Sequence, residues 1–431
     1  MRSSRPAFGF IFVTVMLDML GFGIIAPILP RLIETLLHGD VGRASQYMGL
    51  FVSTWALMQF FCSPILGVLS DRYGRRPVIL LSNFGLGLDY FVMALAPTVG
   101  WLFLGRVLSG ITSSSMATAN AYITDITAPE KRARAFGLLG AAFGVGFVLG
   151  PAMGGWIGSY NPRLPFWVAG ALSLMNALYG FIVLPESLAP EHRQHTIRWK
   201  LANPLASMKL LRSHRELFAL TGINLFGYLA HEVYATVFVL YTMYRYGWSE
   251  KSVGMSLAVV GISYMITSAT LVGPFVKHFG ERYALFSGLF FGALGFALFG
   301  FATTGWLFVI AIAVNSLWGL AGPPAQSLMT RHVSVAEQGQ LQGALSSMRG
   351  MAMIVGPGLF AGVFAISIKR QPAVPGAPWF LSALLLVSSL ILARAVIPVS
   401  AAVPLPESIA QVPTTEVVAE ISAVDEFGPV L

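Results

Sequence analysis

The stretch GVLSDRYGRRPVILL, residues 67–81, packs Asp71, Arg72, Arg75 and Arg76 into six residues between two long apolar runs. Only 11% of the chain is charged, so such a cluster between hydrophobic segments marks a built hinge. It has an echo in GPFVKHFGERYALF, residues 273–286: Gly67 is matched by Gly273 and Gly74 by Gly280, each pair 206 residues apart. Gly150-Pro151 and Gly356-Pro357 keep the same offset of 206. Two unrelated landmarks in one register read as a duplicated unit.

The chain around the hinge has 431 residues, 55% of them hydrophobic, and a mean hydropathy of +0.71. Its apolar runs recur at about twenty residues, the length that crosses ~30 Å of hydrocarbon as a helix. Backbone polar groups find no water there, and continuous runs without ten-residue alternation favour helices over a barrel. Twelve spans are expected, at 7–29, 47–70, 77–97, 101–124, 135–157, 165–184, 216–242, 252–275, 283–303, 306–328, 340–366 and 379–399. The expected fold class is therefore an all-α membrane protein of two pseudo-symmetric six-helix bundles. Residues 1–184 form the first bundle, 185–215 a polar linker, 216–399 the second bundle, and 400–431 a disordered Pro-rich tail. The first span runs on to Leu29 and carries Asp18, so it reads as an uncleaved helix rather than a signal peptide.

The net charge of +8 would raise the question of nucleic acid in a soluble protein. Here the basic residues sit in short loops and set orientation instead. With both termini in the cytoplasm, seven of the 27 Lys and Arg fall outside (Arg31, Arg43, Arg163, Arg245, Lys251, Lys369 and Arg370), and Arg106 and Arg349 lie within spans; the rest are cytoplasmic. A single cysteine, Cys62, leaves no internal disulfide.

Within the hinge, Gly67 would admit a close helix neighbour and Gly74 a tight turn. Asp71 can accept helix N-terminal N–H groups or pair with a base. Arg72, Arg75 and Arg76 can pair with acids at other helix ends, Asp125 among them, or meet anionic headgroups. Plain topogenic charge explains the arginines but not Asp71 with both glycines, so a conformational latch is expected.

Ionisable residues inside spans are costly and mark sites or relays. The first half has Asp18 in LDMLGFGIIAPILP, Asp89 in GLGLDYF and Arg106 in GRVLSGIT. Arg106 needs a carboxylate partner, with Asp18 and Asp89 both open. Its span is polar, with Ser113, Ser114, Ser115, Thr118 and Asn120, and either lines a wet cavity or bonds to neighbouring helices. The second half has Asn224, 206 residues after Asp18, and Tyr228, His231 and Glu232 on one span. Glu232 and His231 can exchange protons, with Arg349 a candidate partner. In the fifth span Gly146, Gly150, Gly154 and Gly158 recur every four residues, with Gly155 and a kinking Pro151, so one face is a smooth groove for another helix.

GVLSDRYGRR resembles the signature loop of the major facilitator superfamily of secondary transporters, where it controls closure of the cytoplasmic face. The second copy is degenerate, with Lys277 in place of Asp71 and Glu281 in place of Arg75. A Gly-Pro-x-x-Gly-Gly fifth helix resembles that of the superfamily's antiporters. Across residues 6–366 the chain is similar to the tetracycline/proton antiporter branch, in RPAFGFIFVTVMLDMLGFGIIAPILP, WALMQFFCSPILGVLSDRYGRRPVILLS, GLDYFVMALAP, AYITDIT, LPES, NPLAS and QGQLQGALSS. The resemblance implies that Asp18, Asp89 and Arg106 handle substrate and protons. It also exposes two departures: Tyr264 replaces a coupling histidine and Gly292 replaces an aspartate. Either His231 and Glu232 substitute for them, or substrate and coupling differ.

The expected activity is proton-coupled export of a small amphipathic drug by alternating access, tetracycline-like by resemblance. The expected location is the bacterial inner membrane, the partners lipid, protons and substrate, and the working unit a monomer. No cofactor is implied beyond the proton gradient; Mg2+ enters only as part of a tetracycline complex. Other solutes or uptake symport remain alternatives. A membrane enzyme is remote, because no His-x-x-x-His or Glu-x-x-His pair is present.

Overall fold

The structure, a computed structural model, describes residues 4–112, 115–194, 203, 208, 210–211, 215–334 and 337–396. Every extended regular segment among them is helical: α1 (Ser4–Ile25), α2 (Leu29–Leu36), α3 (Val41–Tyr73), α4 (Arg75–Leu95), α5 (Val99–Thr112), α6 (Ser115–Ile126), α7 (Pro129–Gly158), α8 (Leu164–Val183), α9 (Arg215–Thr236), α10 (Phe238–Tyr246), α11 (Glu250–Ile266), α12 (Val272–Phe301), α13 (Gly305–Ser316), α14 (Gly322–Thr330), α15 (Gln338–Lys369) and α16 (Ala377–Val396). The expected tail at 400–431, most of the expected linker, and Ser113 and Ser114 lie outside the described residues.

Local chemistry sets the boundaries. α1 ends at Ile25, ahead of Pro27, and α2 restarts with Pro30 in its first turn, where a missing N–H costs nothing. α3 opens on Asp40, whose carboxylate accepts the Arg43 N–H at 2.9 Å. It closes at Gly74, with φ 106° and ψ 162°. Gly280 repeats that turn inside α12, with φ 84° and ψ 163°. Both conformations strain any residue carrying a Cβ, so the repeat seen in the sequence is a repeat of backbone geometry.

Among the described residues nine helices are long and apolar enough to cross a membrane, and the pair α9–α10, bent by 53°, makes a tenth. The expected fourth span falls on α5, which ends at Thr112, and α6, which starts at Ser115. The expected eighth and ninth form one 52-residue stretch, Glu250–Phe301. That stretch is broken by a wider π turn at Thr267–Leu271 and by the Gly280 kink.

The helices before and after the linker meet along two seams. On the first, α3 packs on α15: a methyl group at Gly49 would lie 2.6 Å from Ala361 Cβ, Ser45 Oγ donates to the Ala361 carbonyl at 3.3 Å, and Phe60 reaches Gly350. On the second, α7 packs on α11 through Gly155 against Gly254, Val148 against Gly261, and Gly144 against Met265. Both seams fade toward the Gly74 face. Methyl groups at Gly67, Gly137, Gly140 and Gly273 would meet nothing within 4 Å. The expected close neighbour of Gly67 is therefore absent in this conformation, because the two halves diverge there. At the opposite face an ion pair crosses between them, Arg31 Nε to Glu250 Oε1 at 3.4 Å.

Candidate functional site

At the hinge, the turn at Gly74 brings Arg75 back over the end of α3. Its guanidinium pairs with Asp71 and, at 3.2 Å, with Asp125 at the end of α6. Asp125 also accepts from Ser187 Oγ at 3.0 Å. Arg76 donates to the Phe181 carbonyl at 2.6 Å, while Arg72 lies over the Tyr73 ring. The residue that sequence reasoning left out is Glu186. Its carboxylate accepts the backbone N–H of Arg75 at 2.8 Å and of Arg76 at 3.3 Å, so it caps α4 from the segment that follows α8. The LPES segment was its only signal.

The second half carries the counterparts of Asp71, Arg75 and Asp125 with their charges reversed, while Arg282 keeps the charge of Arg76. Glu281, the counterpart of Arg75, pairs with Arg331 at 2.8 Å, and Arg331 lies 206 residues after Asp125. Lys277 stands for Asp71. The degenerate echo is thus inverted at these three positions, with Ser327 Oγ donating to Glu281 at 2.8 Å.

In the membrane interior of the first half, Arg106 Nη2 pairs with Asp89 Oδ2 at 2.8 Å. That answers which carboxylate takes the arginine. Gly105 makes room, since a Cβ there would lie 2.5 Å from Asp89 Oδ1. Asp18 is 5% exposed on α1. Tyr90 is buried next in sequence to Asp89, and its ring would lie 3.4 Å from a Cβ at Gly21 on the helix that carries Asp18.

The second half separates residues that the sequence grouped. Asn224 and Tyr228 line a cavity of about 510 Å³ with Gln326, Met329 and Leu345. Asn224 Nδ2 donates to the Leu220 carbonyl at 3.0 Å and to Met329 Sδ at 3.2 Å. Glu232 turns away from that cavity and is 6% exposed. It lies against Gly356, where a Cβ would sit 2.7 Å from its Cγ. His231 is accessible, with ring contacts to Tyr234 at 5.7 Å and Trp318 at 6.1 Å. Arg349, the expected partner, is exposed and makes no ion pair to Glu232 within 4.0 Å.

Trp318 explains one departure. It sits on a short 3-10 turn, Leu317–Leu320, that interrupts the path from α13 to α14. Its side chain covers Gly292, where a Cβ would be 2.8 Å from the indole Cγ. Asn315 Nδ2 donates to the Gly292 carbonyl at 3.2 Å, and Tyr234 donates to Asn315 Oδ1 at 2.6 Å. An aspartate at 292 has no space. Tyr264 is 49% exposed and its ring edge lies 3.3 Å from a Cβ at Gly319. Of the two residues expected to replace the missing pair, His231 touches this region through Trp318, whereas Glu232 lies against Gly356.

The fifth-span groove is a helix seam. Methyl groups at Gly146 and Gly150 would lie 2.5 Å from the Met16 carbonyl and 2.6 Å from Gly23 Cα. Gly154 meets Ile24 on the same helix, and Gly158 meets Ile28 in the turn before α2. Gly155 faces the other way, onto α11, and Pro151 presents its carbonyl to Gly254. α7 is therefore clasped between α1 and the second half.

Broken helices around an interior cavity, buried ions and a duplicated hinge describe a transporter. The family model for the Major Facilitator Superfamily matches residues 11–357 and 220–421. The chain belongs to the Major Facilitator Superfamily. It is 39% identical over 372 residues to the class C tetracycline resistance protein of Escherichia coli, across 86% of this chain and 92% of that protein. It is 36% identical over 371 residues to the class G tetracycline resistance protein of Vibrio anguillarum, with the same coverage, 86% and 92%. The crystal structure of the human organic anion transporter MFSD10 (TETRAN) shares the fold, at a TM-score of 0.67 and 23% identity, over 91% of this chain and 100% of that one. As a superfamily member the chain is a multi-pass membrane transporter of small molecules, not an enzyme.

Proposed function

We propose that the chain exports a small amphipathic drug from bacteria in exchange for protons, by alternating access across twelve spans. The Gly74 face and both termini lie in the cytoplasm of the inner membrane. The described conformation is then open to the cytoplasm and sealed outside, ready to load cargo. The single observation that carries this reading is the pairing of buried ionisable groups in both halves with seams that close only at the outer face. The relatives' names make a tetracycline–magnesium complex the first cargo to test, the metal belonging to the cargo.

The residues divide the work. The Asp89–Arg106 pair is buried and matched, so it holds α4 to α5 and supplies a fixed dipole. Asp18 and Glu232 are the carboxyls that take up a proton from outside; substrate and proton each lower the affinity for the other. Glu232 is well placed for this. It rests on Gly356, and the next residue, Pro357, presents its carbonyl to Gly49 across the α3–α15 seam. A change of charge at Glu232 therefore acts one residue from the contact that must open. The membrane potential contributes ~2.3 kcal/mol per charge per 100 mV, about a 50-fold gradient of a neutral cargo for one proton.

A susceptibility panel in a pump-deficient bacterium tests the assignment. Wild type should raise resistance to tetracycline, and Asp18→Asn, Glu232→Gln and Asp71→Asn should each lose it. Wild-type behaviour of Glu232→Gln would remove that residue from the coupling role.

A further inference from the structure

A second cavity, of about 650 Å³, lies at the ends of the helices farthest from Gly74, between the starts of α11 and α13. Its rim is polar, with the Arg245 guanidinium and the Ser252 hydroxyl. Two indoles flank it: Trp248, held where Gly305 has no side chain, and Trp306, 80% exposed. From Ser252 the wall continues down α11 through Met255 and Val259, which are 52% and 37% exposed. Seven residues of helix make this apolar trough about 10 Å long. Arg245 has no ion-pair partner among the described residues, and Glu250, five residues on, pairs with Arg31.

We infer that this cavity binds one anionic phospholipid, with the phosphate at Arg245 and Ser252, the glycerol region between the two indoles, and an acyl chain along Met255 and Val259. Each part of the lining has one counterpart in that molecule. An unpaired guanidinium at the membrane boundary attracts an anionic headgroup. Tryptophans settle where an apolar ring meets a wet surface. The trough is of no use to a soluble anion, and the guanidinium is of no use to a lipid tail alone. The site lies on α11, the helix that carries Glu250 and packs on α7, so an occupied cavity ties the outer seam to the composition of its leaflet.

The test is native mass spectrometry of the delipidated full-length protein, offered equal amounts of phosphatidylglycerol and phosphatidylethanolamine with identical acyl chains. Wild type should retain phosphatidylglycerol about fivefold over phosphatidylethanolamine, the preference expected from one basic residue at a membrane surface. Arg245→Gln should abolish that preference. Arg370→Gln, an exposed base on the same face, should leave it. Met255→Trp fills the trough and should prevent retention although Arg245 is intact. Equal retention of both lipids by wild type, or a preference that survives Arg245→Gln, overturns the site. Binding indifferent to Met255→Trp marks an anion held without its tail and overturns the lipid assignment.

Discussion

The Arg31–Glu250 pair is the ionic tie between the halves at the sealed face, and its removal should move the conformational equilibrium by a calculable amount. Arg31 is 43% exposed and Glu250 19%, the Nε–Oε1 distance is 3.4 Å, and Arg31 also holds Glu34 at 3.0 Å. A shared, partly exposed pair of this kind is worth about 0.2–1 kcal/mol. Glu250→Gln removes the tie that spans the halves and spares Arg31–Glu34. The ratio of outer-closed to outer-open molecules should therefore fall about 1.4- to 5-fold. The charge that Glu250 contributes to the first turn of α11 is lost in both conformations and cancels. Spin labels at Arg43 and Lys251, both exposed at this face, report the opening as a longer distance population once Cys62 has been replaced by serine. The shift should shrink at high salt, which screens exposed charges. Glu34→Gln is the control, since it removes only a contact within α2. An unchanged distribution in Glu250→Gln, or an equal shift in Glu34→Gln, would refute the latch.

Arg75→Glu alone should abolish transport, whereas Asp71→Lys, Arg75→Glu and Asp125→Arg together should restore much of it, because the second half carries those inverted charges at the matching positions and pairs Glu281 with Arg331; resistance assays read both. Gly292→Asp should lower thermal stability by at least the ~1–3 kcal/mol of an overpacked core, as it drives into Trp318, and Trp318→Ala in the same chain should return part of the loss. Arg106→Gln leaves Asp89 buried without its partner and should cost ~3–5 kcal/mol in unfolding measurements, while Asp89→Asn with Arg106→Gln recovers most of it. Gly150→Ala, whose methyl would press on Gly23, should destabilise the α1–α7 seam by ~1–3 kcal/mol, read as a lower melting temperature.

Features fixed by local chemistry were legible in the sequence. The prolines at 27 and 30 break the first span, so α1 stops at Ile25, short of the expected Leu29, and the glycines at 74 and 280 adopt the turns that only glycine tolerates. Asp125 was a nameable partner because an arginine cluster at one helix end needs an acid at another. Arg106 could be narrowed to two carboxylates but not to one, since the choice depends on how α4 and α5 cross. Glu232 and His231 are adjacent in sequence yet face different neighbours, because successive helical residues point about 100° apart. Trp318 could not be found from its own sequence context. It matters through Gly292 and His231, and only the break between α13 and α14 brings these together. Gly67 reads as a packing glycine and finds open space, because which seams are closed is a property of the conformational state rather than of composition.

Everted membrane vesicles containing the wild-type chain test the account most directly. Energised by respiration, they acidify inside and should accumulate tetracycline with magnesium. The accumulation should collapse on adding a protonophore and be absent with Glu232→Gln. Accumulation that persists through the protonophore, or that Glu232→Gln retains in full, would contradict proton-coupled export through this site.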